Sequence, residues 1–125
     1  MVKTFISMLC VGLLLITAGI YENFHINKEF NEFNSHLVAL YQKIEDQTAT
    51  ADDVLAVQDD WLEKKSYLHA FISHAEIREV ELWISESITL VQEKSWVDAL
   101  SKIEVLLDLS RHIPKNFLLR LENVL

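Results

Sequence analysis

Chain breakers are scarce here: 125 residues contain two glycines and one proline. An all-β fold needs a turn every 8–12 residues or so, so this scarcity excludes one. What remains is rich in Leu, Glu, Lys, Ala and Ile, which favour helices. Cys10 is the single cysteine, so the chain holds no internal disulfide. Acids are missing from residues 1–21, and all 19 lie after Tyr21, where 10 basic residues oppose them. A body of that charge repels nucleic acid, which is excluded as a partner, and discounts anionic lipid headgroups as direct ligands. No glycine-rich loop is present to cradle a phosphate, and no glycine-framed serine or cysteine lies outside the first 21 residues. The expectation is a protein that is not an enzyme and carries no cofactor.

The longest uncharged run is "TFISMLCVGLLLITAGIY", from Thr4 to Tyr21, with Lys3 before it and Glu22 after. Its length is about the minimum for a helix crossing a hydrocarbon layer of roughly 30 Å. "ITAGI" is a poor cleavage site for a secretory signal, and Cys10 follows Leu9 where a lipoprotein needs a small residue. An uncleaved anchor over residues 1–21 fits best, with residues 22–125 as one extracytoplasmic domain. Lys3 and the terminal amine favour a cytoplasmic N-terminus in a cell membrane, and Tyr21 falls where an interfacial aromatic belongs.

Beyond the run, apolar residues recur at helical intervals. Ile26, Phe30, Phe33, Leu37, Leu40 and Ile44 form one stripe, with no proline in residues 4–46, so anchor and first bundle helix read as one rod with Gly19 as the likeliest bend. Thr50 with Asp53 reads as a helix start, followed by Val54, Val57, Trp61, Leu68 and Phe71 or Ile72. Ser73 with Glu76 starts a third stripe through Ile77, Val80, Ile84, Ile88 and Val91, unless Ser73 only kinks a longer helix. Ser95 with Asp98 precedes a fourth, through Trp96, Leu100, Ile103 and Leu107. Short connections make successive helices antiparallel neighbours, with Trp61, Trp83 and Trp96 filling the core or seams. Pro114 ends the fourth helix near His112 and opens a short fifth one through Phe117 and Leu121. The expected fold is all-α: a transmembrane helix, then an antiparallel bundle of four helices plus that short C-terminal helix. Eleven residues are too few to stay helical alone in water, so the tail packs either on its own bundle or on another protein.

The histidines give no metal pattern. Glu22–His25 supplies one Glu-x-x-His step where a di-iron bundle needs two. Glu32 and His36 suit a surface pair, and His69 and His74 diverge on a continuous helix. Lys64, Lys65 and His69 stand where they satisfy the C-terminal carbonyls and dipole of the second helix. Together with His74, Glu76 and Arg78 they also make a corner that a partner, or pH through histidine, could address.

Three stretches stand out, "DDWLEKKSYLHAFISHAEIREVEL", "KSWVDALSKIEVLLDL" and "HIPKNFLLRLENVL". Through them the chain resembles a bacterial family, domain-of-unknown-function family 4363, found mainly in endospore-forming Firmicutes. Trp61, Lys64, Lys65, His74 and Glu76 match the first pattern, and His112, Ile113, Pro114, Leu121, Glu122 and Asn123 match the last. It implies a membrane-anchored helical domain with no established activity. It also suggests a partner, a multi-pass membrane protein of the YetF-like kind. The residues marked for partner binding are therefore Trp61, Lys65, His69 and His74 at the corner, and His112, Pro114, Phe117 and Leu121 in the tail. The expected function is an accessory or scaffold protein binding another membrane or envelope protein. The alternative is a sensor or module holding a small ligand or cation between helices.

Overall fold

The computed structural model describes residues 1–124, with the side chains of Leu121 and Val124 outside the described set. Among the described residues there are helices α1 (Val2–Glu45), α2 (Ala51–Leu68), α3 (His74–Gln92) and α4 (Trp96–Val124), and no strand. Each stripe of apolar residues becomes the inner face of one helix. Ile26, Phe30, Phe33, Leu37, Leu40 and Ile44 of α1 are all buried, and Val54, Val57, Trp61 and Leu68 of α2 meet them. The helices contact one another in ring order, α1 with α2, α2 with α3, α3 with α4 and α4 with α1. This is an up-down-up-down bundle.

The apolar run and the first bundle helix form one rod, a single helix of 44 residues continuous through Gly19. Its apolar segment projects from the bundle, because Phe5, Leu14 and Ile20 are exposed and burial begins at Ile26. That helix is long and apolar enough to cross a membrane, with a mean hydropathy of 2.1 over its best 18-residue window and none of that window buried.

The starts follow the expected chemistry. At α2, Thr50 accepts from the Asp53 N–H while Asp53 accepts from the Thr50 N–H at 2.8 Å, a complete capping box. Ser73 accepts from the Glu76 N–H at 3.2 Å, so the chain does break there and α3 begins at His74. The Glu76 carboxylate does not return to Ser73; it turns toward α4.

Two helix ends use an unexpected device. Gln47 and Lys94 have φ of 60° and 59°, the left-handed region usually left to glycine. Around Gln47, the Thr48 N–H reaches the Lys43 carbonyl and the Gln47 N–H reaches Ile44. Around Lys94, the Ser95 N–H reaches Leu90 and the Lys94 N–H reaches Val91. Both are Schellman ends built without glycine.

The proline corrects one expectation. Among the described residues there is no separate fifth helix: α4 runs for 29 residues straight through Pro114. Ile113, Pro114 and Phe117 are buried, which continues the inner face of α4 past the proline. Packing on both sides of Pro114 offsets the missing N–H and the crowding that normally stop a helix there.

Candidate functional site

The antiparallel order brings two distant stretches together. The α2–α3 turn and the C-terminal half of α4 both lie at the end of the bundle nearest the apolar run of α1. The His69 N–H bonds the Lys65 carbonyl, and the Phe71 and Ile72 N–H groups both bond the Leu68 carbonyl, which closes the turn. Phe71 then meets Phe117 edge-on, with ring centroids 6.0 Å apart. Asn116 Nδ2 donates to Glu76 at 3.3 Å, and Arg120 lies 3.7 Å from the same carboxylate. Lys65 forms an ion pair with Glu81, which ties α2 to α3 beside the turn.

Lys64, one residue before, faces α1 instead and is only 5% exposed. Its ammonium sits 3.1 Å from Asp60, 3.2 Å from Glu29 and 3.7 Å from Glu32. Burial alone would lower the pKa of Lys64, but Asp60 and Glu29 outweigh it and hold the amine above its ordinary value. Burial would likewise raise the Glu29 carboxyl; Tyr67 and Lys64 facing it bring it below the usual range. Burial and the Glu29 charge together push the Tyr67 phenol upward. His25 stacks on Tyr21 and leans on Tyr67 at 5.5 Å, extending the cluster toward the apolar run. Sequence reasoning placed Lys64 at the carbonyls of α2 and missed this arrangement. A signal was present: position 64 completes the 3-4-3-4 stripe of Val54, Val57, Trp61 and Leu68, so a lysine there has to point inward.

The marked residues divide by burial. Trp61 is fully buried against Phe30 and Phe33, with ring centroids 6.2 Å and 5.3 Å away. Pro114 and Phe117 are core residues too, so the tail packs on its own bundle. These three offer little surface to a partner. His69, His74 and His112 are exposed and Lys65 is half-exposed. His69 Nδ1 lies 3.1 Å from the Lys65 carbonyl and His112 Nδ1 lies 2.7 Å from the Asp108 carbonyl. A carbonyl only accepts, so both Nδ1 atoms donate and each ring turns Nε2 outward. The Leu121 side chain lies outside the described residues.

A groove of about 270 Å³ runs between α1 and α2 over Ala39 and Ala56. Its polar rim is already paired, His36 with Asp60 and Lys43 with Asp53, both at 3.0 Å. Among the described residues, no group of three His, Cys, Asp or Glu side chains comes together to hold a metal ion.

Comparison with known families places the chain. Residues 20–124 match the family described as Domain of unknown function (DUF4363), and the chain belongs to that family. The matched segment begins at the end of the apolar run and takes in all of the bundle. No curated protein and no solved structure matches the chain.

Proposed function

We propose that this DUF4363 protein is held in the cell membrane by residues 4–21 and acts by binding rather than by catalysis. In this reading the N-terminus is cytoplasmic, on the strength of Lys3 and the acid-free start. The bundle stands outside as an accessory or scaffold subunit for another membrane or envelope protein, a multi-pass membrane protein being the class that suits its position. One observation carries the reading: the corner at Lys65–His74 and the helix around His112 and Asn116, forty residues apart in sequence, form one surface beside the anchor. Exposed His69, His74 and His112 give that surface three ring nitrogens free for a partner.

The test uses the full-length protein in cells, with a photo-crosslinking residue at His69, His74 or His112 and, for comparison, at Val97 at the opposite end. The expected result is one adduct shared by the three proximal positions and absent at Val97. Adducts at none of them, or the same adduct at Val97, overturn the proposal. Deletion of the tail is unsuitable as a control, because it removes Ile113 and Phe117 from the core.

A further inference from the structure

Helix α4 is in fixed register with α1. Tyr41 bonds Glu104 at 3.1 Å and Asn34 bonds Ser110 at 2.7 Å, so positions that face each other sum to about 144. Extending that register places Leu118 and Leu119 level with about residues 25–27 of α1. At 1.5 Å per residue they stand about 6–9 Å beyond Tyr21, where the apolar run ends. The headgroup layer on each side of the hydrocarbon core is about 5–8 Å thick. Both leucines therefore reach the outer part of the headgroup layer of a membrane entered at Tyr21.

The side chains at that level suit the position. Leu118 is 39% exposed, Leu119 57% and Phe24 70%, so each keeps apolar surface that the bundle leaves open. Charge is arranged to match. Residues 34–61 and 83–109, the half of the bundle away from the anchor, carry eleven acids against three basic side chains. Residues 22–33, 62–82 and 110–124, the near half, carry eight acids against seven basic side chains and four of the five histidines. The composition alone discounted anionic lipid headgroups as ligands of the body taken as a whole. The fold instead confines most of the net negative charge to the far end and leaves the near end close to neutral.

We propose that the C-terminal turns of α4, through Leu118 and Leu119, seat in the headgroup layer of the same bilayer that α1 enters, giving the bundle a second, reversible membrane contact. The occupant of this apolar patch is lipid, and a zwitterionic bilayer suffices because the contact is apolar. This rests on the reading of α1 as a membrane anchor. A bundle held at both α1 and α4 cannot swing freely about the anchor, so its histidine-bearing surface keeps one height above the membrane.

The test is made on the full-length protein in phosphatidylcholine vesicles. An environment-sensitive fluorophore is attached at Cys10 in the native chain. In a Cys10→Ser background it is attached to Leu118→Cys, Leu119→Cys or Val97→Cys, and quenching by spin-labelled lipids is read. Val97 is 81% exposed, apolar and at the far end of α4, so it controls for insertion driven by the fluorophore. The expected result is loss of most emission at Cys10 and at 118 or 119, with a blue shift, and no loss at 97. Quenching at Cys10 alone overturns the contact and leaves the anchor standing. No quenching at Cys10 overturns both. Equal quenching at 97 and 119 also overturns it, since the fluorophore itself is then inserting. Circular dichroism of each variant confirms that the exposed substitutions leave the helices intact.

Discussion

Asn34 donates a 2.7 Å hydrogen bond to the hydroxyl of Ser110, the residue whose carbonyl is deprived of its helical partner by Pro114. Ser110 in turn donates to the Leu107 carbonyl at 2.7 Å. This polar tie between α1 and α4 thus sits one turn before the proline, where the backbone ladder of α4 is weakest.

Replacing that proline should strengthen the protein. Pro114→Ala restores an N–H for the Ser110 carbonyl and removes the clash with it, against a modest loss of buried carbon. Because interior proline costs about 3 kcal/mol relative to alanine, a net gain of roughly 1–2 kcal/mol is expected. Thermal unfolding of the full chain in detergent measures it. A clear loss of stability would show instead that the bundle needs the bend.

The two glycine-free helix ends give an independent prediction. A non-glycine residue in the left-handed region costs roughly 1–2 kcal/mol, part of which glycine returns through the flexibility of the unfolded chain. Lys94→Gly and Gln47→Gly should each raise stability by about 0.5–1 kcal/mol, as read from denaturant midpoints. Lys94→Ala should not. If glycine and alanine act alike at position 94, the left-handed geometry is not costing stability.

Lys64 and Lys65 are neighbours in sequence and opposites in environment. Lys64→Met leaves Glu29 and Asp60 facing one another around an apolar side chain. It should cost roughly 2–3 kcal/mol, less than a fully buried pair because the carboxylates keep some contact with water. Lys65→Met breaks a half-exposed pair with Glu81 and should cost under about 1 kcal/mol. Equal losses at the two positions would contradict the burial of Lys64.

Acid should destabilise the bundle through identified carboxylates. The Thr50 N–H and the Lys43 ammonium hold the Asp53 carboxyl below its ordinary 3.8, and Glu29 lies below its ordinary 4.5. A carboxylate whose pKa is lower in the folded state stabilises fully above its unfolded value, and that stability is lost as pH falls through the folded one. Melting temperature should therefore hold steady at neutral pH and decline below about pH 4.5. Asp53→Asn, which keeps a capping oxygen, should flatten that decline. An unchanged slope in Asp53→Asn and in Glu29→Gln would remove both groups from the explanation. In base the sign reverses. The stability tied to the raised Lys64 amine is present below its ordinary 10.5 and is lost as pH climbs through the higher folded value.

Helix existence and most boundaries were legible in the sequence, because period and caps are local signals. The α1 stripe from Ile26 to Ile44, the Thr50–Asp53 box and the break at Ser73 all appear where spacing and capping chemistry put them. What misled was local chemistry overruled by packing. Pro114 should end a helix, yet buried Ile113 and Phe117 carry α4 through it. Gln47 and Lys94 lack the glycine that marks a helix end, yet the chain turns there. Of the site, the sequence singled out two stretches that the fold brings together, and could not tell their buried members from their exposed ones. It marked Trp61, Pro114 and Phe117 for a partner, although the first lies in the α1–α2 interior and the others pack on the bundle.

Sequence by itself determined that the chain is helical, that its first helix opens with an apolar run, and where the helices begin. These follow from composition, periodicity and caps acting within a few residues. Tertiary structure decided that Lys64 is buried among carboxylates and that the α2–α3 turn meets α4. It also decided that net negative charge collects at the end far from the apolar run of α1. Each depends on which residues antiparallel packing brings together, and chain order carries that information only through the fold.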